Sequence, residues 1–163
     1  LDLLLGAFKI AEKRIEDKLY IAGNGTDREI KSIKDHIDEL GLRERVKMLG
    51  RIQGPKKLKL LKKAKYVVIP SRYEAQSITA IESLSLGVPL VTFDIPGLRW
   101  IGTDVSIKAR AFEKKSLAEA IVRLSTQQQL RDQMGRNGLK MSKRFKWGVA
   151  AKRYDQFISK ILK

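Results

Sequence analysis

The feature that most constrains the fold is the segment 66–93, where the spacing of apolar residues changes twice. Residues 66–69 form a short β-branched run, which is typical of a buried strand. From Ser77 the apolar residues recur at helical spacing until Gly87, and a second apolar run follows to residue 93. A strand, a loop, a helix and a strand predict a βαβ unit, and such a unit requires a parallel sheet.

The loop of this unit, residues 71–76, is expected at the carboxyl edge of the sheet, where ligands bind in open α/β folds. The helix start at Ser77 presents free N–H groups and the positive end of a dipole, which suits a phosphate. Glu74 precedes the helix, and Glu82 lies about 7–8 Å along its axis. That is the separation between a pyrophosphate and the ribose of the same nucleotide. The spacing alone leaves open that both glutamates are solvated surface residues.

The remaining periodicity predicts an α/β domain, a three-layer Rossmann-like parallel sheet with helices on both faces. Further strands are predicted at 18–22 and 45–49, and short extended pieces at 100–101 and 104–107. Helices are predicted over 1–15, 26–40, 55–64, 116–124, 127–145 and 147–162. Thr26 and Glu29 have the spacing of a capping box at the start of the second helix.

Two of these helices carry specific expectations about which side chains face inward. In the helix 55–64, Leu58, Leu61 and Ala64 are predicted to face the core, with the lysines outward: Lys56, Lys57, Lys59, Lys62 and Lys63. The helix 147–162 is predicted to bury Trp147, Ala151, Tyr154, Ile158 and Ile161.

Composition limits the chemistry. The 163 residues suit one domain, and the absence of cysteine excludes disulfides and thiolate metal sites. This composition fits a reducing, cytoplasmic compartment. The sequence has no apolar run near the ~20 residues that span a bilayer, and no signal peptide is visible. His36, the only histidine, has no neighbouring ligand types, which favours a solvated helix residue over a metal ligand or base.

The charge is strongly positive, with 34 Lys and Arg against 18 Asp and Glu, a net charge of +16. Between Glu44 and Glu74 there are ten basic residues and no acidic one. This pattern suits a solvated lysine-rich surface, attraction to an anionic membrane face, or nucleic-acid binding. Nucleic acid is the least favoured, because no reading motif is present and few aromatic residues interleave with the basic stretch.

Four segments in register resemble the retaining glycosyltransferases of family 4, also called group 1, which are two-domain GT-B enzymes. Glu74, seven residues, Glu82 and the Gly-Val-Pro-Leu-Val run at 87–91 resemble their donor-binding segment. Residues 19–25, 46–50 and 145–147 agree in order. The resemblance covers nearly the whole chain and implies the C-terminal, donor-binding half of a GT-B enzyme.

The resemblance implies transfer of a hexosyl group from a nucleoside-diphosphate sugar to an acceptor hydroxyl, with retention, as in polysaccharide biosynthesis. Negative charge grows on the departing diphosphate, and the N–H groups of Ser77, Ile78 and Thr79 would stabilise it without a metal or other cofactor. Glu74 would contact the transferred sugar, and it is catalytic only in that loose sense. The family has Gly-Phe-Gly where residues 75–77 read Ala-Gln-Ser, which changes the fit around the sugar.

The resemblance also assigns the nucleoside. Glu82 would accept hydrogen bonds from the ribose hydroxyls, and the loop with Arg51 and Ile52 would hold the base through its backbone. In the family, a strand and a loop that holds an Arg and a Lys, which clamp the donor diphosphate, precede the first helix, and an acceptor domain precedes that strand. We therefore expect residues 1–163 to be a single nucleotide-sugar-binding domain that lacks its first strand and its acceptor domain and is inactive alone. Peripheral attachment to the inner membrane face is a further expectation.

Two other functions remain open from the residues alone. Retaining glycosidases also use two carboxylates, but a helix start between Glu74 and Glu82 favours a phosphate over a glycosidic bond. The other is a non-catalytic module that binds nucleotides or polyanions.

Overall fold

The parallel strands predicted from the apolar runs are present, but they form two separate pieces of sheet. A computed structural model describes residues 1–162, and within this range the chain forms seven α-helices and five strands. In chain order they are α1 (Asp2–Ala11), β1 (Leu19–Ala22), α2 (Asp27–Glu39), β2 (Val46–Gly50), α3 (Gly54–Lys63), β3 (Val67–Ile69), α4 (Ile78–Ser85), β4 (Leu90–Phe93), β5 (Ser106–Ala109), α5 (Lys114–Thr126), α6 (Gln128–Ser142) and α7 (Trp147–Ile161).

β1 pairs with β2, and β3, β4 and β5 pair in that order, all in parallel. Within residues 1–162 no ladder joins β1 to β3. The two pieces are linked at their amino ends, where Asp17, just before β1, accepts hydrogen bonds from Lys65 and Tyr66, just before β3. The amino ends of β1 and β3 are therefore adjacent.

The helices form two layers. α1 packs against α2 and α5, and α4 packs against α3 and α6. Right-handed crossovers that run in opposite directions from the middle of a sheet place their helices on opposite faces. The predicted three-layer, Rossmann-like α/β class with helices on both faces is confirmed.

The core is centred on β4, in which all four residues are buried. Leu90, Val91 and Phe93 have no solvent exposure, and they are covered by buried residues of α4 on one face and α5 on the other. The loops that follow β3 and β4 are thereby attached to the most rigid part of the domain.

The predicted inward face of α3 is wrong at two positions. Leu58 is 43% exposed, whereas the Lys57 side chain is only 32% exposed and faces α4. α3 contacts α4 through Lys57, and the buried Leu61 lies four residues on, on the same face of the helix. Leu58 is one residue, about 100°, further round the helix and points away from that contact.

The prediction that α7 buries its apolar side chains is also wrong, since none of its residues is buried. The helix contacts the 3₁₀ turn Lys143–Phe145 that precedes it, and Trp147 and Tyr154 are 90% and 71% exposed. The apolar face of this amphipathic helix is therefore largely exposed.

The predicted extended pieces at 100–101 and 104–107 are only partly present. Residues 100–101 follow the 3₁₀ turn Pro96–Leu98 without forming a strand, and the strand begins at Ser106. The Trp100 ring packs edge to face on Phe145, with the ring centroids 5.1 Å apart. Trp100 therefore packs on the 3₁₀ turn Lys143–Phe145 and is not part of the sheet.

Candidate functional site

The start of α4 is formed as the sequence predicts. Ser77 is the N-cap, and its Oγ accepts a hydrogen bond of 3.4 Å from the Ala80 N–H. Ser77 is buried, so its hydroxyl caps the helix rather than facing a ligand. No partner among residues 1–162 takes the N–H groups of Ile78 and Thr79, and both residues are exposed. Open amides at a helix start suit an anion.

Glu74 lies in the loop between β3 and α4 and is half-buried. Ser71 Oγ donates a 2.9 Å hydrogen bond to Glu74 Oε1, while the neighbouring Tyr73 is 83% exposed. The carboxylate is therefore held over its own loop, at the carboxyl end of β3.

The backbone of Glu74 is fixed by the loop after β4. A Cβ atom added to Gly97 would lie 1.6 Å from the Glu74 carbonyl oxygen and 2.7 Å from its carbon, so only glycine fits there. Lys108 Nζ on β5 donates to the Leu98 carbonyl at 2.5 Å and holds this 3₁₀ turn in place. Gly97 belongs to a loop, residues 94–97, that resembles the Gly-rich turn of the family, but sequence patterns do not predict its contact with Glu74, because the two residues are far apart in the chain.

A second contact holds the same loop. The Arg72 guanidinium lies 5.6 Å from the centroid of the Phe112 ring, in a cation–π arrangement. Phe112 has a φ of 62°, and its ring packs edge to face on the buried Phe93 at 5.7 Å. A left-handed conformation costs a bulky residue roughly 1–2 kcal/mol. Residues after β4 and β5 thus fix the Glu74 loop from two sides, and the contact between Arg72 and Phe112 was not predicted.

Glu82 lies on α4 and is paired with a lysine of α3. Lys57 Nζ lies 2.7 Å from Glu82 Oε2, and the side chains are 32% and 24% exposed. Oε2 is enclosed, and the lysine is not aligned for a hydrogen bond to it. The contact is therefore an ion pair without a hydrogen bond. α3 begins directly after the loop with Arg51 and Ile52. The ion pair therefore joins this helix to α4, the helix that carries Glu82.

Arg51 and Ile52 line an open groove of about 470 Å³ at the start of α3. With the Gln53 amide in its hydrogen-bonding orientation, its oxygen accepts from Arg51 at 2.7 and 3.0 Å. The groove's other lining residues are Leu49, Lys56, Lys59, Leu60 and Lys63, so every charged group around it is positive. Glu82 is not part of this groove.

The candidate site therefore draws on loops or helix starts after β2, β3, β4 and β5. Within residues 1–162, no group of three or more His, Cys, Asp or Glu side chains could hold a metal ion. In the same range, no helix has both the length and the apolar character needed to cross a bilayer.

Residues 1–141 match the model of the family "Glycosyl transferases group 1". The chain belongs to this family. The match covers all five strands and helices α1 to α5, together with most of α6, and so includes every residue of the candidate site.

Glycosyltransferases are also found among the similar proteins. An uncharacterised glycosyltransferase of Methanocaldococcus jannaschii is 38% identical over 98 residues, which cover 60% of this chain and 25% of that protein. Alpha-D-kanosaminyltransferase of Streptomyces kanamyceticus is 29% identical over 133 residues, 80% of this chain and 34% of that protein. The chain thus spans about a third or less of these two relatives.

A solved structure, Anabaena HepE in complex with UDP, superposes with a TM-score of 0.86 at 21% identity. The match covers 97% of this chain and 44% of HepE. At this identity the likeness shows the fold alone, and that fold is a Rossmann-like domain of the GT-B type. The predicted family and fold are confirmed, while the roles of Glu74, Glu82 and the other site residues stay predictions.

Proposed function

We propose that this group 1 glycosyltransferase chain is the donor-binding, C-terminal half of a retaining enzyme. It binds a nucleoside-diphosphate sugar and supports transfer of a hexosyl group to an acceptor hydroxyl on a glycan, a lipid-linked acceptor or a small molecule. The observation that carries the proposal is the fixed loop at the end of β3. In this loop, Glu74 comes shortly before the open amides of Ile78 and Thr79 in the sequence. Its side chain accepts a hydrogen bond from Ser71, and its backbone packs against Gly97.

The related structures support a nucleotide-sugar donor. HepE was solved with UDP and also with UDP-glucose, and its fold matches 97% of this chain. In this chain the corresponding chemistry would be anion binding at the start of α4, where the helix dipole and free N–H groups favour a diphosphate.

In the proposed mechanism, the protein stabilises the leaving group. As the bond between the sugar and the diphosphate breaks, negative charge grows on the diphosphate oxygens. On this proposal, the N–H groups at residues 77–79, fixed at the start of α4, would stabilise this charge without reorganisation during the reaction. Glu74, oriented by Ser71, would accept hydrogen bonds from hydroxyls of the transferred sugar and set its position. No metal has a role in this proposal.

The nucleoside would bind across the start of α3 and the middle of α4. Glu82 would accept from the ribose hydroxyls, and the loop of Arg51 and Ile52 would contact the base. The Lys57–Glu82 contact supports this assignment, because it ties together the two helices on which these predicted contacts depend.

We further propose that the complete enzyme supplies a strand between β1 and β3 and an acceptor domain. The missing ladder between these two strands supports the first, and the exposed apolar face of α7 supports a contact with the second. On this proposal, residues 1–163 bind donor but do not transfer sugar by themselves.

The charge distribution supports a position in the cytoplasm at an anionic membrane face. In α3, α4, α6 and α7 the only acidic residues are Glu82, Asp132 and Asp155, against many lysines and arginines. Sedimentation with anionic vesicles at low and moderate salt tests this. Binding to duplex DNA but not to the vesicles would instead support the nucleic-acid alternative.

Calorimetric titration of the purified protein with UDP, GDP and ADP, with and without magnesium, tests the donor site. We expect one nucleotide to bind without dependence on magnesium. Glu82→Gln should weaken binding by about 10- to 100-fold, the effect of losing hydrogen bonds to a charged group. The exposed Glu44→Gln is the matched control and should bind normally.

The competing outcomes are distinct. If no nucleotide binds to the folded wild-type protein, the donor-site proposal fails. If a nucleotide binds but Glu82→Gln has no effect, the ribose assignment fails. Equal, salt-sensitive binding of all nucleotides and of other polyanions would favour the non-catalytic polyanion-binding module.

A further inference from the structure

The contact between Lys57 and Glu82 is not explained by the sequence pattern. α3 has five lysines, and four of them are exposed: Lys56, Lys59, Lys62 and Lys63. Lys57 alone turns toward α4, where its Nζ lies 2.7 Å from Glu82 Oε2. A lysine that leaves the solvated face of a lysine-rich helix to reach one carboxylate is unlike its neighbours.

The geometry leaves one carboxylate oxygen for another partner. Oε2 is enclosed and lies against the lysine, whereas Oε1 accepts no hydrogen bond from residues 1–162. A cation held at one oxygen restricts rotation of the carboxylate and so fixes the direction in which Oε1 accepts a hydrogen bond.

We propose that Lys57 is a positioning residue for the donor nucleotide. It acts through Glu82, whose carboxylate it orients so that Oε1 accepts from a ribose hydroxyl. This inference rests on the proposed function, because it requires Glu82 to face the ribose. Lys57 lies in the first turn of α3, directly after the loop of Arg51 and Ile52, so it also couples the base loop to the ribose carboxylate.

The alternative is an ion pair that only joins α3 to α4. A partly exposed pair of this kind contributes little net stability. If it were only structural, replacing Lys57 would change the affinity for every nucleotide by the same factor, through a shift in the packing of the two helices. If Lys57 has a positioning role, the loss of affinity should instead depend on whether the nucleotide has its ribose hydroxyls.

The test compares two ligands, the nucleoside diphosphate that binds most tightly and its 2′,3′-dideoxy form. We expect Lys57→Met to weaken binding of the ribonucleotide about tenfold and to leave the dideoxy form within about twofold. Lys57→Arg should restore most of the affinity, because it keeps the cation. Lys62→Met removes an exposed lysine of the same helix and should bind both ligands normally.

The double variant with Glu82→Gln provides a second readout. If Lys57 acts through Glu82, Lys57→Met should have almost no further effect once Glu82→Gln is present. The positioning role would be overturned if Lys57→Met lowered the affinity for both ligands equally. It would also be overturned if the losses of affinity from Lys57→Met and Glu82→Gln were additive in the double variant. Normal binding by Lys57→Met with weak binding by Glu82→Gln would overturn this inference alone. Failure of the wild-type protein to bind any nucleotide would remove the proposed function as well.

Discussion

The two pieces of sheet differ in how well they are covered. β4 has a paired strand on each side, and all four of its residues are buried. β1 pairs only with β2, and along it half-buried residues alternate with exposed ones, including Tyr20 at 52% exposure. Similar apolar runs in the sequence therefore give very different burial, because side chains are buried by the helices on the faces of a sheet, and α4 and α5 both pack on β4.

The largest expected contrast comes from truncating one aromatic residue in each piece. Phe93 at the end of β4 has no solvent exposure, so Phe93→Ala should lower the free energy of unfolding by about 3–5 kcal/mol. Tyr20→Ala on β1 should lower it by less than about 1 kcal/mol, since half of that side chain is already in water. Urea denaturation measures both, and equal losses would contradict the contrast.

The next contrast is between two glycines, Gly97 after β4 and Gly23 after β1, in how well each position accepts a larger side chain. Gly97→Ala should push the loop away from the Glu74 carbonyl, lower stability by about 1–3 kcal/mol and weaken donor binding. Gly23→Ala, after β1, should change neither, because no atom lies within 4 Å of the added Cβ. Thermal unfolding and nucleotide titration of both variants check this. Normal binding by a folded Gly97→Ala variant would show that the loop can shift without harm to the site.

The hydrogen bonds to Asp17, which link the two pieces of sheet, should make the stability of the protein depend on pH. Burial would raise the pKa of Asp17, but hydrogen bonds from Lys65, Ser125 and Tyr66 outweigh it and lower that pKa below its usual value. A lowered carboxyl pKa stabilises the fold above the unfolded value of about 3.9, and this stabilisation is lost as the pH falls toward the folded value.

Asp17→Asn should therefore lower the free energy of unfolding by about 1–2 kcal/mol at pH 7. The difference from wild type should stay constant down to about pH 5 and narrow below about pH 4. Urea denaturation at a series of pH values measures it. A difference that stays the same at pH 3 would mean that the charge of Asp17 is not involved.

The smallest expected effect is at the start of α2, in the less covered piece. Thr26 Oγ1 accepts from the Glu29 N–H at 3.3 Å, and Glu29 Oε2 accepts from the Thr26 N–H at 2.8 Å, which confirms the predicted capping box. Thr26→Ala should lower stability by about 1 kcal/mol. Ser32→Ala, an exposed position inside the same helix, is the control and should not be destabilising.

Local signals in the sequence predicted most of the fold. The helix caps at Ser77 and Thr26, and the apolar runs that became β3 and β4, depend on residues close together in the chain. The candidate loop and its two glutamates followed from the same unit.

The contacts that shape the site could not be predicted in this way. Lys57 with Glu82, Gly97 with Glu74, and Arg72 with Phe112 each join residues from different elements. Helical periodicity placed Lys57 on the outer face with the other lysines, since it carries no information about a carboxylate on the next helix. It also predicted an apolar face for α7, but it could not show that this face is exposed.

The groove beside Arg51 has a kinetic consequence. Its charged lining is entirely positive, and a concave surface of one sign attracts oppositely charged molecules before they touch it. A nucleoside diphosphate should therefore meet this end of the domain more often than free diffusion allows. The rate of association, more than the rate of release, should then fall as ionic strength rises.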